Sequence, residues 1–284
     1  MFHKNVETFL ACDAEYEVAQ TVLFGAPYDC TTSFRPGARF GSRAIRGESY
    51  GLESFSPYQQ KDLADYPLFD GGDLDLAFGS PEPALKMIQA YTQEVLADGK
   101  RPFLLGGEHL VSLGAIRAAY EKHPDLHIIH FDAHADLRND YLGQTLSHAS
   151  VIRRGWDLLG DGRIFQFGIR SGDQEEFAWG KKHVHTQLFD FTDLEKTLGQ
   201  IGDKPVYFTI DLDVLDPSIF PGTGTPEAGG VSFMELLSAA LAVCTNANVV
   251  ACDVVELAPN LDPSGVSTAV ACKVVREMLI AMQK

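Results

Sequence analysis

Asp132, His134 and Asp136 stand at alternate positions directly after the apolar run Leu126 to Phe131. Side chains of an extended backbone alternate between faces, so these three ligand-type groups are expected to point the same way from a strand end. A second apolar run, Val206 to Ile210, closes with Asp211-Leu212-Asp213 and repeats the arrangement. A third, Pro102 to Leu105, leads into Gly106-Gly107-Glu108-His109. Of that last pair His109 is the expected ligand and Glu108 its neighbour, although spacing by itself does not choose between them. One Asp-x-His or Asp-x-Asp is ordinary loop chemistry; three such clusters, each following a strand, are not required by any core. His109, Asp132, His134, Asp136, Asp211 and Asp213 offer two imidazoles and four carboxylates. That exceeds one tetrahedral zinc site and suits two divalent ions sharing bridging carboxylates, with four negative charges balancing them. An oxygen-rich set with some nitrogen favours Mn²⁺ over Co²⁺, Fe²⁺ or Zn²⁺, so two Mn²⁺ per chain are expected. Two ions about 3.5 to 4 Å apart activate water near neutral pH. The expected chemistry is metal-assisted hydrolysis.

The elements that must position these groups are short apolar strands alternating with helical patterns, which predicts a single α/β domain over 1–284. Its layers would be αβα, with a mostly parallel sheet of about eight strands covered on both faces. Strands are predicted near 20–25, 65–69, 101–106, 126–132, 163–168, 184–188, 205–211 and 248–256. Helices are predicted near 82–98, 110–122 and 265–282. Another starts at Ser232, where Ser232 and Glu235 have capping-box spacing before the run Leu236 to Val243. The candidate residues all follow strand C-termini, where open α/β sheets bind ligands.

Lys plus Arg number 23 against 39 Asp plus Glu, a net charge of -16. This disfavours nucleic acid or an anionic membrane as partner and mildly attracts a small cationic substrate. Five cysteines, Cys12, Cys30, Cys244, Cys252 and Cys272, show no Cys-x-x-Cys spacing and read as reduced thiols of a cytoplasmic protein. The N-terminal residues lack a basic region followed by an apolar run, so no secretion signal is expected. No 18-residue apolar stretch predicts a membrane span. His3, His123, His183 and His185 show no ligand spacing. The glycine-rich segment Pro221 to Gly230 lacks the Gly-Lys-Ser/Thr ending of a phosphate loop and is expected to shape the pocket wall. Arg138 and Asn139 are candidates for meeting a substrate tail.

Gly-Gly-Glu-His at 106–109, Asp-Ala-His-Ala-Asp at 132–136, Asp-Leu-Asp-Val-Leu-Asp-Pro at 211–217 and Pro-Gly-Thr-Gly-Thr-Pro-Glu at 221–227 resemble the signatures of the ureohydrolases, the arginases and agmatinases. The N-terminal stretch from Gly25 to Arg46, with Arg35-Pro36-Gly37-Ala38-Arg39-Phe40-Gly41, resembles the agmatinase branch more than the arginase branch. The resemblance implies an arginase-like fold, places the metal ligands on the six residues above, and favours His109 over Glu108. It also implies that Asp136 transfers a proton to the leaving amine, that His148 shuttles protons from a loop beside the metals, and that Glu256 grips the guanidinium. After His148 this chain has Ala149-Ser150, where many relatives have Gly-Thr or Gly-Gln. Physical chemistry agrees with both added roles: a guanidinium stays protonated and needs a planar carboxylate partner, and histidine titrates near neutrality. The implied reaction cleaves agmatine to putrescine and urea in a trimer or hexamer. Guanidinobutyrate, guanidinopropionate or arginine are the alternative substrates, and a noncatalytic metal-binding relative is the alternative outside the class.

Overall fold

Valine, isoleucine, leucine and phenylalanine dominate the central runs on both faces of the chain, as a strand covered by helices on each side requires. In the computed structural model, which describes residues 7–283, Pro205–Asp211 is buried along its whole length. His3, the rest of the N-terminal stretch read for a secretion signal up to residue 6, and Lys284 lie outside the described residues. The strands are β1 Thr21–Ala26, β2 Phe55–Ser56, β3 Lys61–Asp62, β4 Leu68–Asp73, β5 Arg101–Gly106, β6 His127–Phe131, β7 Ile164–Ile169, β8 His185–Leu188, β9 Pro205–Asp211 and β10 Asn248–Val255. All but β2 and β3 form one eight-stranded sheet in the order β4-β1-β5-β10-β9-β6-β7-β8. Every neighbouring pair in it is parallel, while β2 and β3 make a small antiparallel pair of their own.

The helices are α1 Gly41–Ser49, α2 Pro81–Ala97, α3 Ser112–Lys122, α4 Val151–Leu159, α5 Gln174–His183, α6 Leu194–Ile201, α7 Phe233–Asn246 and α8 Val266–Ala281. Alternation along the strands divides the core in two. Phe103, Ile129 and Phe208 pack with residues of α1, α6, α7 and α8, whereas Leu104, Ile128 and Tyr207 pack with residues of α2, α3 and α4. Among the described residues no helix is long and apolar enough to cross a membrane.

Two sequence expectations need adjustment. The strand expected near 65–69 starts at Leu68 and runs to Asp73, because Leu63–Asp65 forms a 3-10 turn whose N-cap Asp62 accepts a hydrogen bond from the Ala64 amide. Four short helices, α1, α4, α5 and α6, were not marked by the sequence. Each holds at most ten residues and carries an internal glycine, so its pattern is weak and docking stabilises it. The sheet order has one consequence for chemistry. β5, β10, β9 and β6 are consecutive neighbours, so their C-terminal tips open side by side.

Candidate metal centre

Each of those four tips delivers part of the site. His109 begins a 3-10 turn soon after β5, Asp132 follows β6, Asp211 ends β9 with Asp213 in the next turn, and Glu256 follows β10. The side chains converge by a tighter device than extended alternation. Asp132 Oδ1 accepts from the His134 amide at 2.6 Å, and Asp211 Oδ1 accepts from the Asp213 amide at 2.8 Å. Each bond curls the chain into an Asx turn, so residues two apart face one pocket although the strand has ended. Asp136 completes its loop at φ 52° and Glu256 leaves β10 at φ 66°. A left-handed non-glycine residue costs about 1–3 kcal/mol and persists only where its surroundings over-determine it.

The described groups meet closely. His109 Nδ1 lies 3.1 Å from Asp132 Oδ2, 3.3 Å from Asp136 Oδ2 and 3.4 Å from Asp211 Oδ2. His134 Nδ1 lies 3.0 Å from Asp213 Oδ2 and 3.5 Å from Asp132 Oδ1. Asp132 thus turns one oxygen toward each imidazole and belongs to both His/Asp clusters. The protonation of His109 follows from its neighbours. Thr209 gives its hydroxyl hydrogen to Asp253 Oδ1 at 2.6 Å, so at 2.9 Å it must accept from His109 Nε2–H. Nδ1 is thereby turned to Asp132, Asp136 and Asp211, buried and without a hydrogen-bond partner among the described residues. Burial opposes charge on the ring, but these carboxylates outweigh it and raise the imidazole well above its ordinary value. Burial, followed by the charge of Asp132, pushes the Asp136 carboxyl up to about 7; burial, followed by Asp213 and Asp132, pushes Asp211 well up. Buried carboxylates crowded around an imidazole nitrogen that has no hydrogen-bond partner are what divalent cations relieve, so the donor set fits such ions.

Glu108 turns away from this cluster. Its buried carboxylate accepts from the Thr31 amide at 2.9 Å, the Thr31 hydroxyl at 2.6 Å and the Thr32 hydroxyl at 3.1 Å. Thr31 Oγ1 in turn accepts from the His148 amide at 3.1 Å, and Ser33 Oγ lies 3.1 Å from His148 Nε2. His148 precedes α4 in a 3-10 turn, and burial holds its imidazole down at about 4. Glu256 Oε1 accepts from the His109 amide at 2.7 Å, and burial, with Glu108 nearby, pushes its carboxyl up. Asp136, His148 and Glu256 line one cavity of about 150 Å³ with His109, His134 and Asp211.

Arg138 also lines that cavity, but its guanidinium is engaged by Asp173 at 3.1 Å and Glu176 at 3.3 Å. Asn139 is not among the lining residues; its side chain accepts from Arg154 on α4 at 3.0 Å. The segment 221–230 does wall the pocket. Arg35 holds it through the Thr223 and Gly224 carbonyls at 2.8 and 3.2 Å, and Thr225 reaches the cavity. The sequence reading passed over His130, which lies in the strand and places Nε2 2.8 Å from Asp132 Oδ2. Its signal was present: His130, Asp132, His134 and Asp136 form one run of alternate polar residues.

A model of the arginase family matches residues 19–281. The chain belongs to the arginase family. Within the family it is 47% identical over 281 residues to an agmatinase of Bacillus subtilis, covering 98% of this chain and 97% of the relative. A guanidinobutyrase of Pseudomonas aeruginosa is 31% identical, covering 95% of this chain and 88% of the relative. The solved agmatine ureohydrolase of Thermoplasma volcanium superposes with a TM-score of 0.90 at 32% identity, covering 99% of this chain and 95% of that one. This arginase-family fold brings the candidate metal ligands that follow β5, β6 and β9, and Glu256 after β10, to one rim.

Proposed function

We propose that this chain is an agmatinase-type ureohydrolase that uses two Mn²⁺ to cleave agmatine to putrescine and urea. One observation carries the reading: the Glu256 carboxylate opens into the same cavity, about 150 Å³, as the His/Asp cluster. A buried carboxylate beside such a cluster suits a planar cation held against it. His109, Asp132, Asp136 and Asp211 would hold one ion, and Asp132, His134, Asp211 and Asp213 the other. When bound, the ions supply Lewis acidity and an activated water. Glu256 would hold the guanidinium in the cavity beside the His/Asp cluster. Asp136 would hold the proton released as water adds to the guanidinium carbon and return it to the amine nitrogen as the C–N bond breaks. His148, uncharged at neutral pH, exchanges protons with solvent. Guanidinium and water thus become urea and a protonated primary amine.

The Bacillus relative's agmatinase name supports agmatine, and so does Arg138. With Asp173 and Glu176 already neutralising it, Arg138 offers little to the carboxylate tail of a guanidino acid. We further propose a homotrimer or homohexamer in the cytoplasm. Cys12, Cys244, Cys252 and Cys272 are buried free thiols, which suits a reducing compartment. Side-by-side urea release from chelator-stripped, Mn²⁺-reloaded protein tests the substrate. Agmatine should show the highest kcat/KM. A higher value for 4-guanidinobutyrate or arginine would move the substrate, and no urea from any of them would remove the function.

A further inference from the structure

Behind the His/Asp cluster, the strand register sets polar side chains in a row across the sheet. His130 on β6 pairs with Gln166 on β7, and Gln166 with Thr186 on β8. On the other side His130 pairs with Thr209 on β9, and Thr209 with Asp253 on β10. His130, Gln166, Thr209 and Asp253 are fully buried, so each needs its partners. The hydrogen bonds assign the protons on the Gln166 side without ambiguity. The Ala135 carbonyl can only accept, so the atom 2.7 Å from it is the Gln166 amide nitrogen. The other hydrogen of that nitrogen points to His130 Nδ1 at 3.0 Å, and the Thr186 hydroxyl donates to Gln166 Oε1 at 3.0 Å. Nδ1 therefore accepts, Nε2 carries the hydrogen, and it donates to Asp132 Oδ2 at 2.8 Å.

We infer that Gln166 is a positioning residue of the metal centre. Anchored on the Ala135 carbonyl, it fixes the His130 tautomer, and His130 then holds Asp132 so that Oδ2 faces His109 while Oδ1 faces His134. The inference rests on the reading of Asp132 as the shared metal ligand. Partners that orient a ligand in this way are typically worth about 10- to 100-fold in metal affinity. The opposite tautomer would aim a lone pair of His130 at the Asp132 carboxylate and release that oxygen.

Three variants and one spectroscopic measurement test this. Mn²⁺ affinity is read by competition with a chromophoric chelator, and folding by the melting temperature of the metal-free protein. Gln166→Met keeps the volume and removes the donor. It should fold, lose about 10- to 100-fold in Mn²⁺ affinity, and lower kcat with little change in KM for agmatine. Gln166→Glu places acceptors against Nδ1 and should draw a proton onto it. Imidazole ¹⁵N shifts, with His130→Gln used to assign the signal, should report Nε2–H in the wild type and a protonated Nδ1 in Gln166→Glu. Wild-type affinity in a folded Gln166→Met, or Nδ1–H at His130 in the wild type, would overturn the inference. If Gln166→Met does not fold, the wild-type tautomer decides it. Failure of the wild type itself to bind Mn²⁺ would instead overturn the metal-centre reading.

Discussion

Glu256 is buried, left-handed and bonded to the amide of a candidate ligand, yet among the described residues its second oxygen accepts no hydrogen bond. In the proposed reaction that oxygen meets the guanidinium. Glu256→Gln should therefore weaken all guanidino substrates alike, by about 2–4 kcal/mol in kcat/KM, the scale of a partly buried charge-assisted pair. A loss confined to one substrate would mark Glu256 as reading the tail instead. His148 makes contacts to Ser33 and Thr31 from a loop and stands outside both His/Asp clusters. His148→Asn should slow kcat by about 10²- to 10⁴-fold while metal analysis still finds both ions. Loss of metal from that variant would make the imidazole a ligand. Among single residues, the spacing of Asp132, His134, Asp136, Asp211 and Asp213 was legible because ligand side chains cluster in sequence. His130 was missed because a histidine inside an apolar run reads as core until its Nε2 is seen facing Asp132.

At the scale of elements, α8 shows how a loop carboxylate secures a helix start. Asp262 accepts from the Ser267 amide at 2.8 Å, the Ser267 hydroxyl at 2.7 Å and the Ser264 amide at 3.0 Å. Burial opposes its charge, but these donors prevail and hold the carboxyl at about 2. Because the folded value lies below the ordinary carboxylate range, this stabilisation is fully present above about pH 4. It is lost as the pH falls toward 2. Asp262→Ala should cost about 1–2 kcal/mol at neutral pH, as loss of a helix cap does, and should flatten the decline in melting temperature between pH 4 and 2. An unchanged acid limb would show that other carboxylates govern it. The capping box of Ser232 and Glu235 was readable in sequence, and both bonds form. The starts of α1, α4 and α6 were not, since none of them has a side-chain cap.

The whole molecule concentrates negative charge at one rim of a buried sheet, so metal removal should reach beyond activity. Chelation should lower the melting temperature and Mn²⁺ should restore it, since an ion bound only by the native state stabilises it by mass action. No change in melting temperature, with metal loss verified, would mean that the clustered carboxylates are relieved by protonation alone. The proposed trimer or hexamer predicts a corresponding mass in light scattering at micromolar concentration, and a monomer would refute it. Phe78 and Leu142 are 94% and 81% exposed, as apolar side chains at an interface between copies would be in one chain alone.

By itself the sequence determined the α/β class, most strands, and most of the candidate ligand side chains that the fold brings together, because period, strand runs and ligand spacing are local properties of the chain. Two matters belonged to the tertiary structure. The order that makes β5, β10, β9 and β6 neighbours brings His109, Asp132, Asp211 and Glu256 together from segments far apart in sequence. The direction each group faces depended on the same assembly: Glu108 turns to Thr31 and Thr32, Asn139 to Arg154, and Arg138 to Asp173 and Glu176. Neighbours in space supply those partners. Spacing along the chain cannot distinguish a carboxylate that faces the pocket from one that supports it, because that difference exists only once the strands have paired.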